Sequence, residues 1–118
     1  MTSTRDAKRY VALRELGCIA CRLESVSIAT LLPVEIHHLV DKGYRKHSGG
    51  RQATIPLCHW HHRGEPIMDH STEWMREQFG PSMFWESKAF AERYGNQREL
   101  LAKVNEMLST GHSQSAKE

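Results

Sequence analysis

Thr54-Ile55-Pro56-Leu57-Cys58-His59-Trp60-His61-His62-Arg63 is the stretch that decides the fold. Its first half, Thr54 to Cys58, reads as a short extended piece, because Pro56 biases Ile55 away from helix. Its second half, His59 to Arg63, reads as the start of a helix. Immediately upstream, Val34-Glu35-Ile36-His37-His38-Leu39 alternates apolar and polar residues as a strand does, and ends on another histidine doublet. Between the two lies Lys42 to Gln52, in which Gly43, Gly49 and Gly50 mark an exposed, flexible loop. Of the eight histidines only His112 falls outside the window from His37 to His70. A soluble chain of this size has little structural use for so much imidazole and thiol in one place.

Cys18-x-x-Cys21 and Cys58-x-x-His61, separated by 36 residues, supply four soft ligands in two clips, as a closed tetrahedral zinc requires. The chain has three cysteines and no N-terminal apolar stretch like a secretory signal or membrane span, so a reducing, cytosolic location is expected. A redox Cys-x-x-Cys would follow a strand in a βαβ pattern, whereas this clip follows a helix-like segment. A structural Zn²⁺ is the better fit, and its removal is expected to unfold the domain. His37, His38, His59, His62 and His70 then remain, and a second metal site is the economical explanation for them. A strand ending in two histidines and a helix carrying His62 meet across a ββα unit. Neighbours on a strand face opposite sides, so one histidine of the doublet ligates and the other is free for proton transfer.

The 118 residues suffice for one domain with a modest core, and the formal charge of +2 is small. Its distribution is uneven: Lys42, Arg45, Lys46, Arg51 and Arg63 occur in a stretch without Asp or Glu, and acids outnumber bases from Glu65 onward. Such a loop suits a polyanion or is simply solvated. A first helix capped by Thr4 carries Ala7, Tyr10, Val11 and Leu13 at helical spacing and stops at Gly17. Arg22 to Pro33 reads as loop or short strand. Ser71 caps a helix through Phe79, and Ser87 to Tyr94 forms another, stopped by Gly95. Asn96 with Glu99 resembles a capping arrangement for a last helix whose core stripe is Leu100, Leu101, Val104 and Leu108. The domain spans residues 1–108, and the polar, aperiodic residues 109–118 are expected to form a disordered tail. Trp74 and Trp85 are expected in the core, and Trp60 at the border of the histidine site.

The combination Ile36-His37-His38-Leu39, a Gly-rich basic loop, Ile55-Pro56-Leu57-Cys58-x-x-His61-His62 and an upstream Cys pair resembles the HNH, or ββα-metal, nuclease superfamily. Within it the chain is most similar to the Ref-type, RecA-dependent nucleases of phages and prophages. That group shares the His-His doublet, the Pro-Leu-Cys-x-x-His-His block, a further His (here His70), and a trailing Phe, Tyr-Gly and Leu-rich helix, here Phe90, Tyr94-Gly95 and Leu100-Leu101. The resemblance covers Leu16 to Leu108.

It implies an α+β fold, a small zinc-stabilised ββα-metal core with flanking helices, and a metal-dependent DNA endonuclease of a bacterial host cytoplasm. It implies His38 as general base, His37 and His62 as ligands of a catalytic metal, and His70 as the third ligand, beside the structural set Cys18, Cys21, Cys58 and His61. A neutral imidazole is suited to taking a proton at physiological pH. The catalytic ion is Mg²⁺, Mn²⁺ or Zn²⁺, an all-histidine set favouring the last two. Lys42, Tyr44, Arg45, Lys46, Arg51 and Arg63 are the expected DNA contacts, holding the backbone with weak sequence preference. A RecA recombinase filament is the implied partner, and no membrane is. The chain departs from the pattern in one respect: no Asn stands near Ala53 or Thr54 to orient the base, leaving that role to Thr54, Gln52 or a backbone carbonyl. His59 reads as a surface or supporting residue and His47 as a loop residue. A non-catalytic zinc module that binds nucleic acid or protein is the alternative, with the surplus histidines merely solvated. A domain with two structural zinc ions is a third reading.

Overall fold

A computed structural model of the chain describes residues 4–39 and 53–117. The expected contact residues Lys42, Tyr44, Arg45, Lys46 and Arg51, together with His47 and Gln52, lie outside the described residues. The architecture is α+β, with one two-stranded antiparallel sheet and helices around it. Helix α1 (Thr4–Leu16) ends where Gly17, at φ +83°, donates its N–H to the Leu13 carbonyl. That left-handed stop is what a glycine accommodates without strain. Helix α2 (Ile19–Glu24) follows at once, and the chain then makes one 3-10 turn (Ala29–Leu31) before strand β1 (Val34–His38). The loop or short strand expected from Arg22 to Pro33 is therefore corrected: its first residues finish a helix and no strand forms there.

Strand β1 pairs with β2 (Thr54–Cys58) in the register His38↔Thr54, His37↔Ile55, Ile36↔Pro56, Glu35↔Leu57, Val34↔Cys58. Directly paired residues share a face and neighbours alternate. Glu35 and His37 therefore lie on one face with Ile55 and Leu57, and His38 lies on the other with Ile36 and Thr54. Pro56 is tolerated because a two-stranded sheet has two outer edges, on which a missing N–H breaks no ladder bond. Helix α3 (His59–Arg63) starts as β2 ends, and packs back on both strands.

Helices α4 (Thr72–Phe79), α5 (Ser87–Tyr94) and α6 (Gln97–Lys117) complete the fold. The caps read from the sequence are formed: the Trp74 N–H donates to Ser71 Oγ, and Asn96 and Glu99 bond reciprocally at 2.8 and 2.9 Å. Helix α6 continues to Lys117, past residue 109, where the sequence expectation begins its tail. Leu100, Leu101 and Val104 are buried with Leu13, Ile55, Leu57, Phe79 and Phe90, and β2 is the fully buried strand at the centre. Trp60 belongs to this core and not to an active-site border: it is fully buried and its indole N–H donates to the Gly80 carbonyl at 2.9 Å. Trp85, expected inside, is 55% exposed, its indole lying on Gly64. Among the described residues no helix is long and apolar enough to cross a membrane.

Candidate functional site

Two short helices begin in the same way. The N–H of Cys21 points at the Cys18 sulfur, and the N–H of His61 points at the Cys58 sulfur, so each leading cysteine caps the turn that carries the second ligand of its clip. The local fold of a Cys-x-x-Cys or Cys-x-x-His clip thus aims both of its donors to one side, and the packing of α2 and α3 on β2 brings the two clips together.

Cys18, Cys21, Cys58 and His61 are all fully buried, and their donor atoms lie within 4.8 Å of one another. The Cys21 and Cys58 sulfurs are 3.7 Å apart, and His61 Nδ1 lies 3.5, 3.5 and 3.4 Å from the sulfurs of Cys18, Cys21 and Cys58. A tetrahedral ion with Zn–S of about 2.3 Å and Zn–N of about 2.05 Å spaces sulfurs by about 3.8 Å and sulfur from nitrogen by about 3.5 Å. The donor set and its spacing therefore fit a metal ion such as zinc. The far side of the imidazole is fixed as well: His61 Nε2 donates to the Phe79 carbonyl at 2.8 Å, which leaves the Nδ1 lone pair facing the sulfurs. The Tyr94 hydroxyl shares its one proton between Glu24 Oε1 at 2.6 Å and the same Phe79 carbonyl at 3.0 Å. Burial disfavours charge on His61, but the Cys18 and Cys58 sulfurs outweigh it and push the metal-free imidazole up to about 10. Hydrogen bonds from Cys18, Cys21 and His61 hold the Cys58 thiol far below its usual range, whereas Cys18 and Cys58 together push Cys21 up. One thiol is thus held as an anion in this cluster even before an ion arrives.

The second set of histidines is gathered less completely. His37 from β1 and His62 from α3 meet with Nδ1 and Nε2 only 3.2 Å apart, their rings edge to face with centroids 5.0 Å apart. Each ring is held from behind. His62 Nδ1 donates to Glu35 Oε1 at 2.7 Å, and His37 Nε2 donates to Gln97 Oε1 at 3.3 Å. Both rings thereby turn an unprotonated nitrogen towards the same point. Burial holds His37 below its ordinary value, with the His62 and His38 rings adding to the effect, so the ring is neutral near pH 7. Glu35 also pairs with Arg63 at 2.7 Å and lies 3.7 Å from His59. Burial opposes ionisation of Glu35, but the His62 N–H and the Arg63 guanidinium outweigh it and hold the carboxyl below the usual range.

The remaining expected site residues are placed as follows. His38 ends β1 on the opposite face from His37, across the ladder from Thr54. His70 does not join His37 and His62: its ring stacks on Trp74 with centroids 3.6 Å apart. Among the described residues, Cys18, Cys21, Cys58 and His61 form the one group of three or more mutually close metal-ligating side chains. Arg63, expected to contact DNA, spends its charge on Glu35 and Glu65. Three residues at the site carried no signal in the sequence: Glu35, Gln97 and Arg9. Arg9 reaches from α1 to Thr54, donating Nε–H to Oγ1 at 2.8 Å and Nη2–H to the carbonyl at 2.6 Å.

A search of curated proteins finds no match to this chain. The model of a protein family described as "Recombination enhancement, RecA-dependent nuclease" matches residues 2–109, nearly the full length and including both histidine doublets and all four donors of the buried cluster. The chain belongs to that family of nucleases acting in recombination.

Proposed function

We propose that the protein is a metal-dependent DNA endonuclease of the HNH type that hydrolyses phosphodiester bonds in concert with a RecA filament in the bacterial cytoplasm. In this reading the β1–β2 hairpin and α3 are a ββα-metal core braced by the buried Cys₃His ion. The observation that carries it is the meeting of His37 Nδ1 and His62 Nε2 at 3.2 Å, with Glu35 and Gln97 each accepting the proton on the far nitrogen. Two imidazoles on one ion with metal–nitrogen distances of about 2.1 Å stand about 3.0 Å apart at a right angle and about 3.4 Å apart at a tetrahedral one. The observed spacing falls between the two.

A divalent ion held there supplies Lewis-acid stabilisation of the extra charge on the phosphate in the transition state. His38, at the loop end of the hairpin, takes the proton of the attacking water. Glu35 and Gln97 hold His62 and His37 in the tautomers that ligation needs. With His70 turned onto Trp74, His37 and His62 are the residues that would hold the ion. Lys42, Tyr44, Arg45, Lys46 and Arg51 hold the DNA backbone.

The test is cleavage of supercoiled and single-stranded DNA, with and without a RecA filament, across Mg²⁺, Mn²⁺ and Zn²⁺, comparing wild type with His38→Ala. The reading requires metal-dependent cutting by the wild type and a folded, zinc-loaded His38→Ala that does not cut. Absence of cutting by the wild type under every condition refutes it. It favours the non-catalytic zinc module, for which the single complete ligand cluster among the described residues speaks.

A further inference from the structure

Arg9 is a half-buried cation of α1 that turns inward, and among the described residues all three of its acceptors are neutral. Nε–H and one Nη2–H grip the hydroxyl and carbonyl of Thr54, and Nη1–H donates to Asn105 Oδ1 of α6 at 2.9 Å. A guanidinium has five N–H groups, so these three leave two without an acceptor among the described residues. Burial pushes its pKa below the usual arginine value. A desolvated charge held by dipoles alone gains most from an anion that arrives from outside.

Its position says where that anion sits. Thr54 is the ladder partner of His38, and directly paired side chains share a face with Cβ atoms about 5 Å apart. The Arg9 fork is fastened to the hydroxyl and carbonyl of that same Thr54, which is fully buried. The guanidinium is thus fixed on three sides, with little side-chain entropy left to lose, at the outer edge of β2 on the ladder partner of His38.

The geometry points to Arg9 as the seat of a backbone phosphate of bound DNA, on the His38 face of the hairpin. This deepens the nuclease reading and rests on it for the identity of the anion. Arg9 is distinct from the loop cations in that its aim is set by the folded core.

The experiment is equilibrium binding of a 20-nucleotide single strand and its duplex to Arg9→Gln and wild type, without added divalent ion, from 50 to 200 mM salt. One lost phosphate contact lowers the slope of log K against log salt by about 0.9 for the duplex and about 0.7 for the single strand, so the wild-type advantage shrinks about 3.5-fold and about 2.6-fold over that range. Lys8→Gln, an exposed lysine of the same helix, is the control and leaves the slope as in the wild type. Equal slopes for Arg9→Gln and wild type overturn the proposal, as does an equal drop in Lys8→Gln, which would show a diffuse field instead of a seat. No wild-type binding to either DNA also overturns it. If Arg9→Gln does not fold, arginine-labelled wild type titrated with the same strand decides: the Arg9 Nε–H resonance shifts if the proposal holds and stays put if it does not. Cleavage plays no part in these readouts, so a wild type that binds through Arg9 but never cuts would refute only the nuclease assignment.

Discussion

Stripping the buried ion with excess chelator at pH 7 is the perturbation whose size the structure fixes most clearly. All four donors have no exposure to water, and they join α2, the end of β2 and α3, the elements from which the rest of the core is built. Zinc bound by such a set contributes apparent free energies of about 10–16 kcal/mol, against about 5–15 kcal/mol for the stability of a whole domain. Without the ion the balance is at or below zero. Three sulfurs packed about one imidazole nitrogen at 3.4 to 3.5 Å are then left to weak S–H bonds and to one buried thiolate–imidazolium pair. Release of zinc, followed with a metallochromic dye, is expected to coincide with loss of far-ultraviolet helix signal and with a red shift of Trp60 emission as that buried indole leaves Gly80. Cys21→Ser is expected to reproduce the effect without chelator. A protein that gives up one equivalent of metal and still melts cooperatively, with Trp60 emission unchanged, would refute the assignment of structural energy to this cluster.

Other substitutions separate the remaining contributions. Glu35→Gln keeps an acceptor towards His62 but loses the charge, and is expected to weaken the ion at His37 and His62 by about 10–100-fold while zinc content stays at one equivalent, as a manganese titration would show. Tyr94→Phe removes two hydrogen bonds, yet Phe79 O keeps the His61 donor and Glu24 keeps Arg93, so no buried group is orphaned. Its cost is expected at the low end, about 1 kcal/mol, or a fall of a few degrees in Tm by calorimetry. Gly64→Ala forces a Cβ to within 2.2 Å of the Trp85 indole at φ +69°, which is expected to cost about 1–2 kcal/mol in a denaturant titration and to free Trp85 for quenching by acrylamide.

What could be read from the chain before its structure was local chemistry at fixed spacing. The two clips, the strand carrying His37-His38, the Ser71 and Asn96–Glu99 caps and the leucine stripe of α6 each depend on residues within a turn or two of one another. Helix α2 was missed because it is six residues long, too short to show a period, and is capped by a cysteine sulfur in place of a hydroxyl or carboxylate. The supports of the candidate site were invisible for a different reason. Gln97 meets His37 across 60 residues, Arg9 meets Thr54 across 45, and Glu35 meets His62 across 27, and nothing in the local sequence marks these partners. The family resemblance drew His70 towards the metal, whereas a flat ring two residues before α4 and four before Trp74 stacks on that indole. Trp60 was placed at the border of the site because ligands flank it, but Cys58 and His61 are themselves inside the core, and the indole between them is fully buried there.

The measurement that bears most directly on the central claim is a count of bound ions. Zinc-loaded wild type titrated with Mn²⁺ is expected to take up a second equivalent whose electron-spin-echo spectrum shows two imidazole nitrogens, and to lose that equivalent, with the first retained, in His37→Ala and in His62→Ala. A wild type that saturates at one ion per chain, with no imidazole coupling to manganese, would contradict the account.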